Sequence, residues 1–568
     1  MFSLKKVEKN YRDWIKSPFD SKTINSVKKL RKNNLKNFQD SFYKDLSFGT
    51  GGMRGIMGEG PNRVNKYSFG KNTQGISNYI NGNQKNDKKS VVIAYDSRHN
   101  SKSLAEIVAN VFSANGIKVF LFSSLRPTPV LSYALTKLKC TCGIVLTASH
   151  NPPEYNGYKV YWSDGGQIVP PLDKKLIFEI NKVKYLDINF QKQKKLIDII
   201  DKKIDDSFVL DSIKNAKIGN SNRVKFKIVF TSIHGTSNVI GPRVLREAGY
   251  SNLLVVKEQS IPDGNFSTVK SPNPEEEDSL KMAKDLAVKN DSDMFIGTDP
   301  DADRLGVGIK IDLKKYYILN GNELMVILTN FLLSKKKLNR SCFIASTIVS
   351  TPILKKMANV FKVKYKESLT GFKWIGKMIK DYPKNQFIGG GEESYGYLVG
   401  NFVRDKDAIT SSLLACELGS ECKEKNETIF NYLIDCYIRF GFYKEKLISI
   451  EKRGIAGQNE INDIMKKLRK SNVQHLAGNK IKYVYDYKTS IKTNLVSRKK
   501  SKLKLPKSDV LIFESENGTR AAIRPSGTEP KIKFYFSVNT KLIERKDYFK
   551  KNIMLENKIN ELTSQFNF

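Results

Sequence analysis

The chain has 568 residues, a length that predicts several domains. Of these residues, 40% are hydrophobic and 27% charged, a composition typical of globular proteins. Its 97 basic and 58 acidic residues give a formal net charge of +39, which suits nucleic acid, an anionic membrane or phosphorylated small molecules as partners. We expect no membrane span, because no uncharged apolar stretch approaches roughly 18 residues. We also expect no signal peptide, because the charged N-terminus lacks an apolar core.

Three successive segments repeat a pattern in which short apolar strands alternate with helices and end in a polar loop. They span about 91–146, 226–296 and 323–388. Such alternation predicts mostly parallel sheets in α/β layers, with functional loops following the strands. The C-terminal part differs, because its short β-type runs are accompanied by only two helical stretches, which predicts a small α+β domain.

The predicted fold class is therefore α/β, with three similar mixed α/β domains of mostly parallel sheets and a C-terminal α+β domain. The predicted domain boundaries are 1–210, 211–318, 319–445 and 446–568.

The distribution of charge and cysteine narrows the possible partners. Most basic residues are lysines scattered over the whole chain, and no arginine-rich groove interleaved with aromatic residues is evident. This favours compositional drift together with phosphate chemistry over nucleic-acid binding. The six cysteines have neither CxxC spacing nor histidine companions, which argues against a zinc site or a disulfide framework. We expect a cytoplasmic protein with no membrane partner and no specific nucleic-acid partner.

Ser149 follows an apolar strand in the run TASHNPP at 147–153. A serine that leaves a buried strand ahead of two prolines is held rigidly at a surface edge, which suits a hydroxyl that carries a chemical group. The alternative is an ordinary strand-to-loop turn, where Ser, His and Asn are common.

The sharpest chemical signal is GTDPDADR at 297–304. Alternate residues of an extended segment point the same way, so Asp299, Asp301 and Asp303 can converge on one hard cation. Because no Cys or His lies nearby in the sequence, oxygen ligation favours Mg²⁺ over zinc. The spacing begins like an EF-hand loop, but the glycine at its sixth place and the later glutamate are absent. The alternative is a solvated acidic turn.

Two further loops offer groups for a phosphorylated polyol. GGGEESYG at 389–396 places two carboxylates and a hydroxyl on a flexible hinge, where they can bind vicinal sugar hydroxyls. RPSGTEPK at 524–531 combines a guanidinium, hydroxyls and a backbone opened by glycine, a combination that can bind a phosphate dianion. The alternatives are a mobile acidic loop and a tight turn.

Two smaller loops fit the same picture. TGGMRG at 50–55 brings Arg54 onto a glycine loop, and TGFKW at 370–374 sets Lys373 at the start of a helix. A lysine at the entry of a helix is usually just solvated.

The motifs TASHNP, DPDADR, GEESYG and RPSGTEP, in this order, resemble those of the α-D-phosphohexomutase superfamily over most of the chain, from about Gly51 to Phe536. Longer segments at 255–275, 370–375 and 401–408 resemble the phosphoglucomutase-2/phosphopentomutase branch, which includes bacterial α-phosphoglucomutases. The resemblance implies four domains around a central cleft. It also implies a phosphoserine at Ser149, whose phosphate passes to a sugar monophosphate and gives a bisphosphate intermediate.

The same resemblance implies ligands and residue roles. Mg²⁺ would be held by Asp299, Asp301, Asp303 and an oxygen of the serine phosphate, and a sugar bisphosphate would act as activator. The residues that would handle protons or stabilise charge are Arg54, His150, Lys159 and Lys373. The residues that would bind the substrate are Arg304, Thr370, Gly371, Glu392, Ser394, Arg524, Ser526, Gly527 and Thr528.

The Glu393-Ser394 pair favours glucose 1- and 6-phosphate as substrates, because phosphomannomutases of dual specificity and phosphoglucosamine mutases usually carry Met or Gln before the serine. Phosphopentomutase and phosphomannomutase activities remain as alternatives. From other classes, a metal-dependent sugar phosphatase and, last, a nucleic-acid-binding protein remain. We expect a monomer or a homodimer.

Overall fold

The computed structural model describes residues 4–49, 51–83, 89–452, 454–471, 473–526 and 531–566. The chain divides into two compact units. Unit 1 comprises Met1–Leu319, Phe372–Phe387 and Tyr395–Glu424, and unit 2 comprises Asn320–Gly371, Ile388–Ser394 and Lys425–Phe568.

Three helices open unit 1 and pack through aromatic side chains. They are α1 (Leu4–Trp14), α2 (Ser21–Asn33) and α3 (Leu35–Phe42). Trp14 stacks on Phe19 with ring centroids 4.3 Å apart. Asp20 caps α2 by accepting the N–H of Thr23 at 2.8 Å, which satisfies one of the free donors of the first turn.

The next region of unit 1 forms the first α/β sheet. Its elements are β1 (Gly52–Ile56), α4 (Lys66–Asn83), β2 (Ser90–Tyr95), α5 (Ser101–Ala114), β3 (Lys118–Phe122), α6 (Thr128–Lys137), β4 (Cys142–Leu146), β5 (Tyr155–Trp162), α7 (Leu172–Lys182), β6 (Ile197–Ile200) and α8 (Lys202–Ala216). The strand order is β1-β5-β4-β2-β3-β6. Strands β4, β2, β3 and β6 are parallel, whereas β5 and β1 pair antiparallel with their neighbours. The central strands are almost continuously buried apolar runs, as parallel strands require.

The second sheet repeats this design. Its elements are β7 (Ile228–Thr231), α9 (Ser237–Ala248), β8 (Leu253–Val255), α10 (Lys257–Ser260), α11 (Lys281–Asn290), β9 (Met294–Thr298), β10 (Leu305–Asp312) and β11 (Lys315–Leu319). The order is β11-β10-β9-β7-β8, with β9, β7 and β8 parallel and with β10 antiparallel to both β9 and β11.

The elements of 320–424 alternate between the units. They are α12 (Gly321–Lys335), β12 (Cys342–Thr347), α13 (Ile353–Val360), β13 (Lys364–Ser368), α14 (Lys373–Asp381), β14 (Gln386–Glu392), β15 (Gly396–Val399) and α15 (Ala408–Glu424). Within unit 2, β12 lies between β14 and its parallel neighbour β13. Helix α12 begins with a capping box, in which Asn320 and Glu323 each accept the backbone N–H of the other.

The C-terminal part of unit 2 is an antiparallel sheet with helices. Its elements are α16 (Ile429–Phe440), β16 (Phe442–Glu451), α17 (Gly454–Lys470), β17 (His475–Leu476), β18 (Asn479–Asp486), β19 (Ile491–Asn494), β20 (Lys500–Lys502), β21 (Leu511–Ser515), β22 (Arg520–Pro525), β23 (Lys531–Thr540) and α18 (Tyr548–Ser564). The order is β16-β23-β22-β21-β18-β19-β20, and each neighbouring pair is antiparallel. None of the described helices is long and apolar enough to cross a membrane.

The predicted fold class is confirmed, since three mixed α/β sheets precede a C-terminal sheet domain. The sheets add one feature to this prediction. In the first two sheets, the strand that follows the predicted site loop runs antiparallel, β5 after β4 and β10 after β9. Both loops therefore reverse the chain at the carboxyl end of a buried strand. The predicted domain boundaries and the central cleft stay predictions.

Candidate active site

Ser149 lies in the loop between β4 and β5. Its φ of 53° is a left-handed conformation that costs a non-glycine residue roughly 1–3 kcal/mol, so the surroundings must enforce it. The residue is only 3% exposed, so the predicted position at a surface edge is wrong and the serine is buried. Its Oγ donates to Asp299 Oδ2 at 2.6 Å and lies 3.1 Å from His150 Nδ1. The loop therefore presents the hydroxyl directly to the aspartate loop.

The three aspartates lie in a tight turn between the antiparallel strands β9 and β10. Ala302 has φ of 56°, and its N–H donates to the carbonyl of Asp299 at 2.9 Å. Asp299 Oδ1 accepts the N–H groups of Asp303 and Arg304, each at 2.9 Å. The predicted residues do converge, but the reason is different. The turn folds the carboxylates together, and the predicted alternation along an extended segment is not what brings them together.

Two of these carboxylates, those of Asp301 and Asp303, each have one oxygen in contact with neighbouring ammonium groups. The oxygen of Asp301 also accepts a hydrogen bond from a hydroxyl. Asp301 Oδ2 accepts from Thr128 Oγ1 at 2.8 Å and from Lys159 Nζ at 2.6 Å. Asp303 Oδ2 accepts from Lys159 Nζ at 3.0 Å and lies 3.3 Å from Lys406 Nζ. Among the described residues, the buried Oδ1 atoms of Asp301 and Asp303 have no hydrogen-bond partner. A buried oxygen without a donor is a position that a positively charged ligand would satisfy.

The donor set tests the prediction of a metal. Asp299, Asp301 and Asp303 each offer a carboxylate oxygen, and these oxygens lie within 4.8 Å of one another. Carboxylate oxygens in such a cluster suit a hard divalent cation such as Mg²⁺. Because two of the carboxylates also carry unpaired oxygens, the residues present fit the predicted ion.

Burial and neighbouring charges shift the protonation equilibria of this centre. Burial raises the pKa of Asp299 well above its usual value, and the carboxylates of Asp301 and Asp303 raise it further. Burial acts the same way on Asp303, but the ammonium groups of Lys159 and Lys406 outweigh it and lower its pKa. Burial alone would lower the pKa of Lys159, yet the two neighbouring carboxylates raise it. The Lys159–Asp303 contact is therefore an ion pair.

Three further predicted residues lie in or beside the loops of Ser149 and the aspartates. Burial lowers the pKa of His150 well below its usual value, and the guanidinium groups of Arg304 and Arg54 lower it further. Arg54, on β1, donates to Asn151 Oδ1 at 2.5 Å. Arg304 forms an ion pair with Glu275. The structure thus brings the two guanidinium groups to the loops of Ser149 and the aspartates.

Three residues that sequence reasoning missed also hold the centre. Thr128, the first residue of α6, has no local pattern that marks it. Arg98 donates to the carbonyl of Ser149 at 2.6 Å, although it lies in an ordinary polar loop after β2. Lys406 lies in the segment 401–408, which carries part of the family resemblance. The sequence therefore marks the segment, but it does not indicate that Lys406 contacts Asp303.

The predicted sugar-binding residue Glu392 ends β14 in unit 2. The glycines before it belong to this strand, so they do not form the predicted flexible hinge. A Cβ at Gly390 would lie 2.1 Å from the carbonyl oxygen of Ala345. Glycine is needed where β14 and β12 approach so closely. Glu392 Oε1 accepts the N–H of Gly371 at 2.8 Å, so two predicted substrate-binding residues are in contact.

The other predicted residues of this loop and of the 370–374 loop differ in their contacts and burial. Glu393 accepts from Thr347 Oγ1 at 3.1 Å and from Ser350 Oγ at 3.0 Å, which anchors it to the end of β12 and to the loop that follows. The neighbouring Ser394 is half-buried. Thr370 Oγ1 is buried and has no hydrogen-bond partner in the described part of the chain. In unit 1, Lys373 is the first residue of α14, as predicted, and is half-buried.

The predicted phosphate-binding loop follows β22. Arg524 lies near the end of this strand, and one terminal nitrogen of its guanidinium is buried without a hydrogen-bond partner among the residues described. Ser526 N–H donates to the carbonyl of Lys531 at 2.7 Å. A buried guanidinium nitrogen without an acceptor suits an anion. Gly527 and Thr528 lie outside the described residues, so their role stays a prediction.

Comparisons with known proteins find relatives in sequence and in fold. Three family models match the chain: phosphoglucomutase/phosphomannomutase, alpha/beta/alpha domain I at 45–187, domain II at 207–310 and domain III at 320–437. The phosphoglucomutase of Staphylococcus aureus (strain USA300) is 38% identical over 505 residues, which cover 88% of this chain and 91% of that protein.

Solved structures share the fold. Parafusin from Paramecium, a phosphoglucomutase in an open form, aligns with a TM-score of 0.65 at 20% identity and covers 91% of this chain and 95% of its own. A phosphoglucomutase/phosphomannomutase family protein from Burkholderia thailandensis aligns with a TM-score of 0.64 at 17% identity and covers 86% and 93%.

Proposed function

The chain belongs to the phosphoglucomutase/phosphomannomutase family, and we propose that it interconverts α-D-glucose 1-phosphate and glucose 6-phosphate. It is an isomerase, a mutase of the phosphoglucomutase type. The 38% identical relative is named a phosphoglucomutase, which supports glucose phosphates as substrates. The Glu393-Ser394 pair, which resembles the glucose-type pattern, supports the same choice.

The observation that carries the proposal is the 2.6 Å hydrogen bond from Ser149 Oγ to Asp299, inside a buried cluster of carboxylates and lysines. Phosphoryl transfer needs mainly positioning and charge neutralisation, and a rigidly held hydroxyl beside such a cluster provides for both. We infer that Ser149 is a phosphoserine in the active enzyme.

In the proposed reaction, the phosphoryl group of phosphorylated Ser149 moves to the free hydroxyl of the sugar monophosphate. The bond between phosphorus and Ser149 Oγ breaks, a bond to the sugar oxygen forms, and the enzyme takes up the proton of the sugar hydroxyl. The resulting glucose 1,6-bisphosphate reverses its orientation and returns its other phosphate to Ser149, and the sugar oxygen that is released takes back a proton. The isomeric monophosphate then leaves. Free glucose 1,6-bisphosphate would phosphorylate Ser149 by the same step, which makes it the proposed activator.

The residues around Ser149 divide the remaining tasks in this proposal. His150 Nδ1 is 3.1 Å from Ser149 Oγ and is placed to handle its proton. Lys159 fixes Asp301 and Asp303, and Arg54 acts on the loop through Asn151. Mg²⁺ held by the three aspartates and an oxygen of the serine phosphate would neutralise charge that develops on the phosphoryl group. Lys373 and Arg304 are proposed to contribute positive charge.

The loops of unit 2 are the proposed recognition elements. Glu392 and Ser394 would bind sugar hydroxyls, together with Thr370 and Gly371. The phosphate that does not react would be bound by Arg524, Ser526, Gly527 and Thr528. The unpaired buried atoms of Arg524 and Thr370 support this assignment, because a bound substrate would satisfy them.

A coupled assay across glucose, mannose, glucosamine and ribose phosphates, with catalytic bisphosphate and Mg²⁺ present, tests the substrate. The highest kcat/KM is expected for glucose 1-phosphate. A higher value for ribose or deoxyribose 1-phosphate would replace this proposal with a phosphopentomutase, and a preference for mannose 1-phosphate would replace it with a phosphomannomutase. Release of free phosphate without an isomer would indicate a phosphatase.

We also propose that the enzyme works in the cytoplasm, as a monomer or a homodimer. All six cysteines are buried, and their number is small for a chain of this length, which supports a reducing compartment.

A further inference from the structure

The side chain of Arg98 is fully buried, and its guanidinium is directed at a single short segment. It donates to the carbonyls of Ser149 at 2.6 Å, Pro152 at 2.7 Å and Tyr155 at 3.1 Å, and the carbonyl of Asn151 accepts as well. Three of these carbonyls belong to the loop that carries the proposed nucleophile, and the fourth, that of Tyr155, belongs to the first residue of β5, where the loop ends. One planar fork of donors therefore fixes the path of that loop at four points.

Asp96 supplies the counter-charge for this arginine. Its carboxylate lies 3.3 Å from Arg98 Nε, and neither side chain is exposed. Asp96 Oδ1 also accepts from Ser101 Oγ at 2.8 Å and from the N–H of Arg98 at 3.0 Å. A buried ion pair is expensive to desolvate and by itself is weak evidence for stability. The hydrogen bonds that this buried arginine directs at the Ser149 loop therefore need a reason other than stability.

A segment from the second sheet region covers the guanidinium. The ring centroid of Phe266 lies 4.9 Å from the guanidinium carbon of Arg98, within cation–π distance. Phe266 has a left-handed backbone with φ of 51°. His234 holds the segment on both sides of Phe266, through the carbonyl of Ile261 at 2.8 Å and Thr268 Oγ1 at 2.9 Å. The position of Phe266 against Arg98 is thus determined by contacts of its own segment.

Ser149 needs such support, because its left-handed backbone is unfavourable and its hydroxyl must point at Asp299. We propose that Arg98 is a positioning residue for phosphoryl transfer, which fixes the Ser149 loop through the four carbonyls and is itself held by Phe266. This inference rests on the proposed role of Ser149 as phosphate carrier. Arg98 acts through Ser149 and not on the sugar, so its loss should change the rate of transfer and not the binding of substrate.

Arg98→Lys in the full-length enzyme tests this role, because one ammonium group keeps the charge but cannot serve four carbonyls. A displacement of the reacting group by about 1 Å costs roughly 100-fold in rate, so kcat should fall by about that factor while the KM for glucose 1-phosphate stays within about twofold. The phosphorylation of Ser149 by glucose 1,6-bisphosphate, followed by quenched flow and intact mass, should slow by the same factor.

Arg223→Lys is the matched control. Arg223 is also largely buried, pairs with Glu417 at 2.6 Å and donates to the carbonyl of Gly219, but it has no contact with the Ser149 loop among its recorded partners. It should lower the melting temperature and leave kcat within about twofold. An unchanged kcat in Arg98→Lys, or an equal loss of kcat in Arg223→Lys, would overturn the positioning role.

Two additional variants keep the test decisive. Ser149→Ala is measured in parallel, and if it retains turnover, the proposed function has failed and not only the role of Arg98. If Arg98→Lys does not fold, Phe266→Leu decides, because it keeps an apolar side chain and removes the aromatic face. We expect kcat to fall about three- to tenfold at unchanged KM, as loss of a cation–π contact implies. A wild-type kcat in Phe266→Leu would overturn the inference.

Discussion

The Ser149 centre in unit 1 and the recognition loops in unit 2 leave buried polar atoms of opposite character without hydrogen-bond partners among the described residues. At the centre these atoms include carboxylate oxygens of Asp301 and Asp303, which suit a cation. In the recognition loops they are a guanidinium nitrogen of Arg524 and the hydroxyl of Thr370, which suit an anion and a polyol. The two regions therefore differ in what completes them, a metal in the first and a substrate in the second.

The difference also concerns how firmly each region is built. Ser149 is held by Asp299, by Arg98 and by its own buried loop before any ligand binds. By contrast, one terminal nitrogen of the Arg524 guanidinium has no acceptor among the described residues, and in our proposal the substrate supplies it. Substitutions in the first region should therefore act on kcat and those in the second on KM. The following predictions test this division, in order of decreasing effect.

Ser149→Ala should have the largest effect, because it removes the group that carries the phosphate. We expect kcat to fall by about 10⁶, the order seen when a catalytic nucleophile is removed. Ser113→Ala is the control, because Ser113 is equally buried but donates to the carbonyl of Asn110 within α5. Steady-state rates of both proteins decide. Retained turnover in Ser149→Ala with an intact fold would contradict the assignment.

Removal of divalent cations should have the next largest effect. After exhaustive chelation, activity should fall by about 1000-fold and return with Mg²⁺, since the charge stabilisation lost is several kcal/mol. Asp301→Asn should raise the Mg²⁺ concentration needed for half-maximal rate. Asp285→Asn, which changes an exposed carboxylate paired with Lys281, should not. Full activity in metal-free enzyme would refute the role of the aspartates.

Arg524→Lys should separate the two regions most clearly. Loss of a bidentate contact to the substrate phosphate should raise KM about 10- to 100-fold, as expected for a charge-assisted hydrogen bond, with a smaller change in kcat. Arg469→Lys is the control in the same unit, because Arg469 pairs with Asp486 and Asp509. If kcat fell and KM stayed constant, Arg524 would belong with the chemistry and the division would be wrong.

Glu392→Gln should have a smaller effect of the same kind. The amide can still accept the N–H of Gly371, but a neutral group binds sugar hydroxyls less strongly, so KM should rise about tenfold. The ratio of kcat/KM for glucose and mannose 1-phosphates should also change. An unaltered KM and an unaltered ratio would remove Glu392 from the recognition loop.

The smallest effect is expected at the basic hairpin of β19 and β20. Lys499, Lys500, Lys502 and Lys504 are exposed there, and we attribute the charge of +39 to composition. Replacing all four with Gln should leave kcat/KM within about twofold, because exposed charges remote from a site are screened by salt. Tight RNA binding with a steep salt dependence in the wild type, lost in this variant, would show that the charge has a function.

Much of the fold and site could be predicted from the sequence because both depend on local patterns. The buried strands β2, β4 and β9 are continuous apolar runs, and Ser149 and the aspartates follow two of them directly. The reversal of the chain after β4 and β9 could not be predicted, because a loop sequence does not fix which edge of a strand the next strand joins.

The supporting contacts of the site were beyond sequence reasoning for a related reason. Thr128 and Asp301 are 173 positions apart, and neither side chain carries a local signal for the other. Arg98 is 51 positions from Ser149 and resembles any loop arginine until the fold brings the two together. The glycine run before Glu392 predicts a hinge from the sequence alone, since the close approach of β12 that requires glycine is also a tertiary feature.

The central claim is that Ser149 carries the phosphate in a centre built before substrate binds. The most direct measurement mixes the enzyme with glucose 1,6-bisphosphate whose phosphates are isotopically labelled, quenches it, and locates the labelled phosphate by peptide mass before and after a chase with excess unlabelled glucose 6-phosphate. We predict that the labelled phosphate is on Ser149 and is replaced by an unlabelled one in the chase at least as fast as kcat, because each turnover passes the label to the sugar and returns the other phosphate to the serine. Labelled phosphate on another residue, or a labelled phosphoserine that the sugar does not exchange at that rate, would contradict the account.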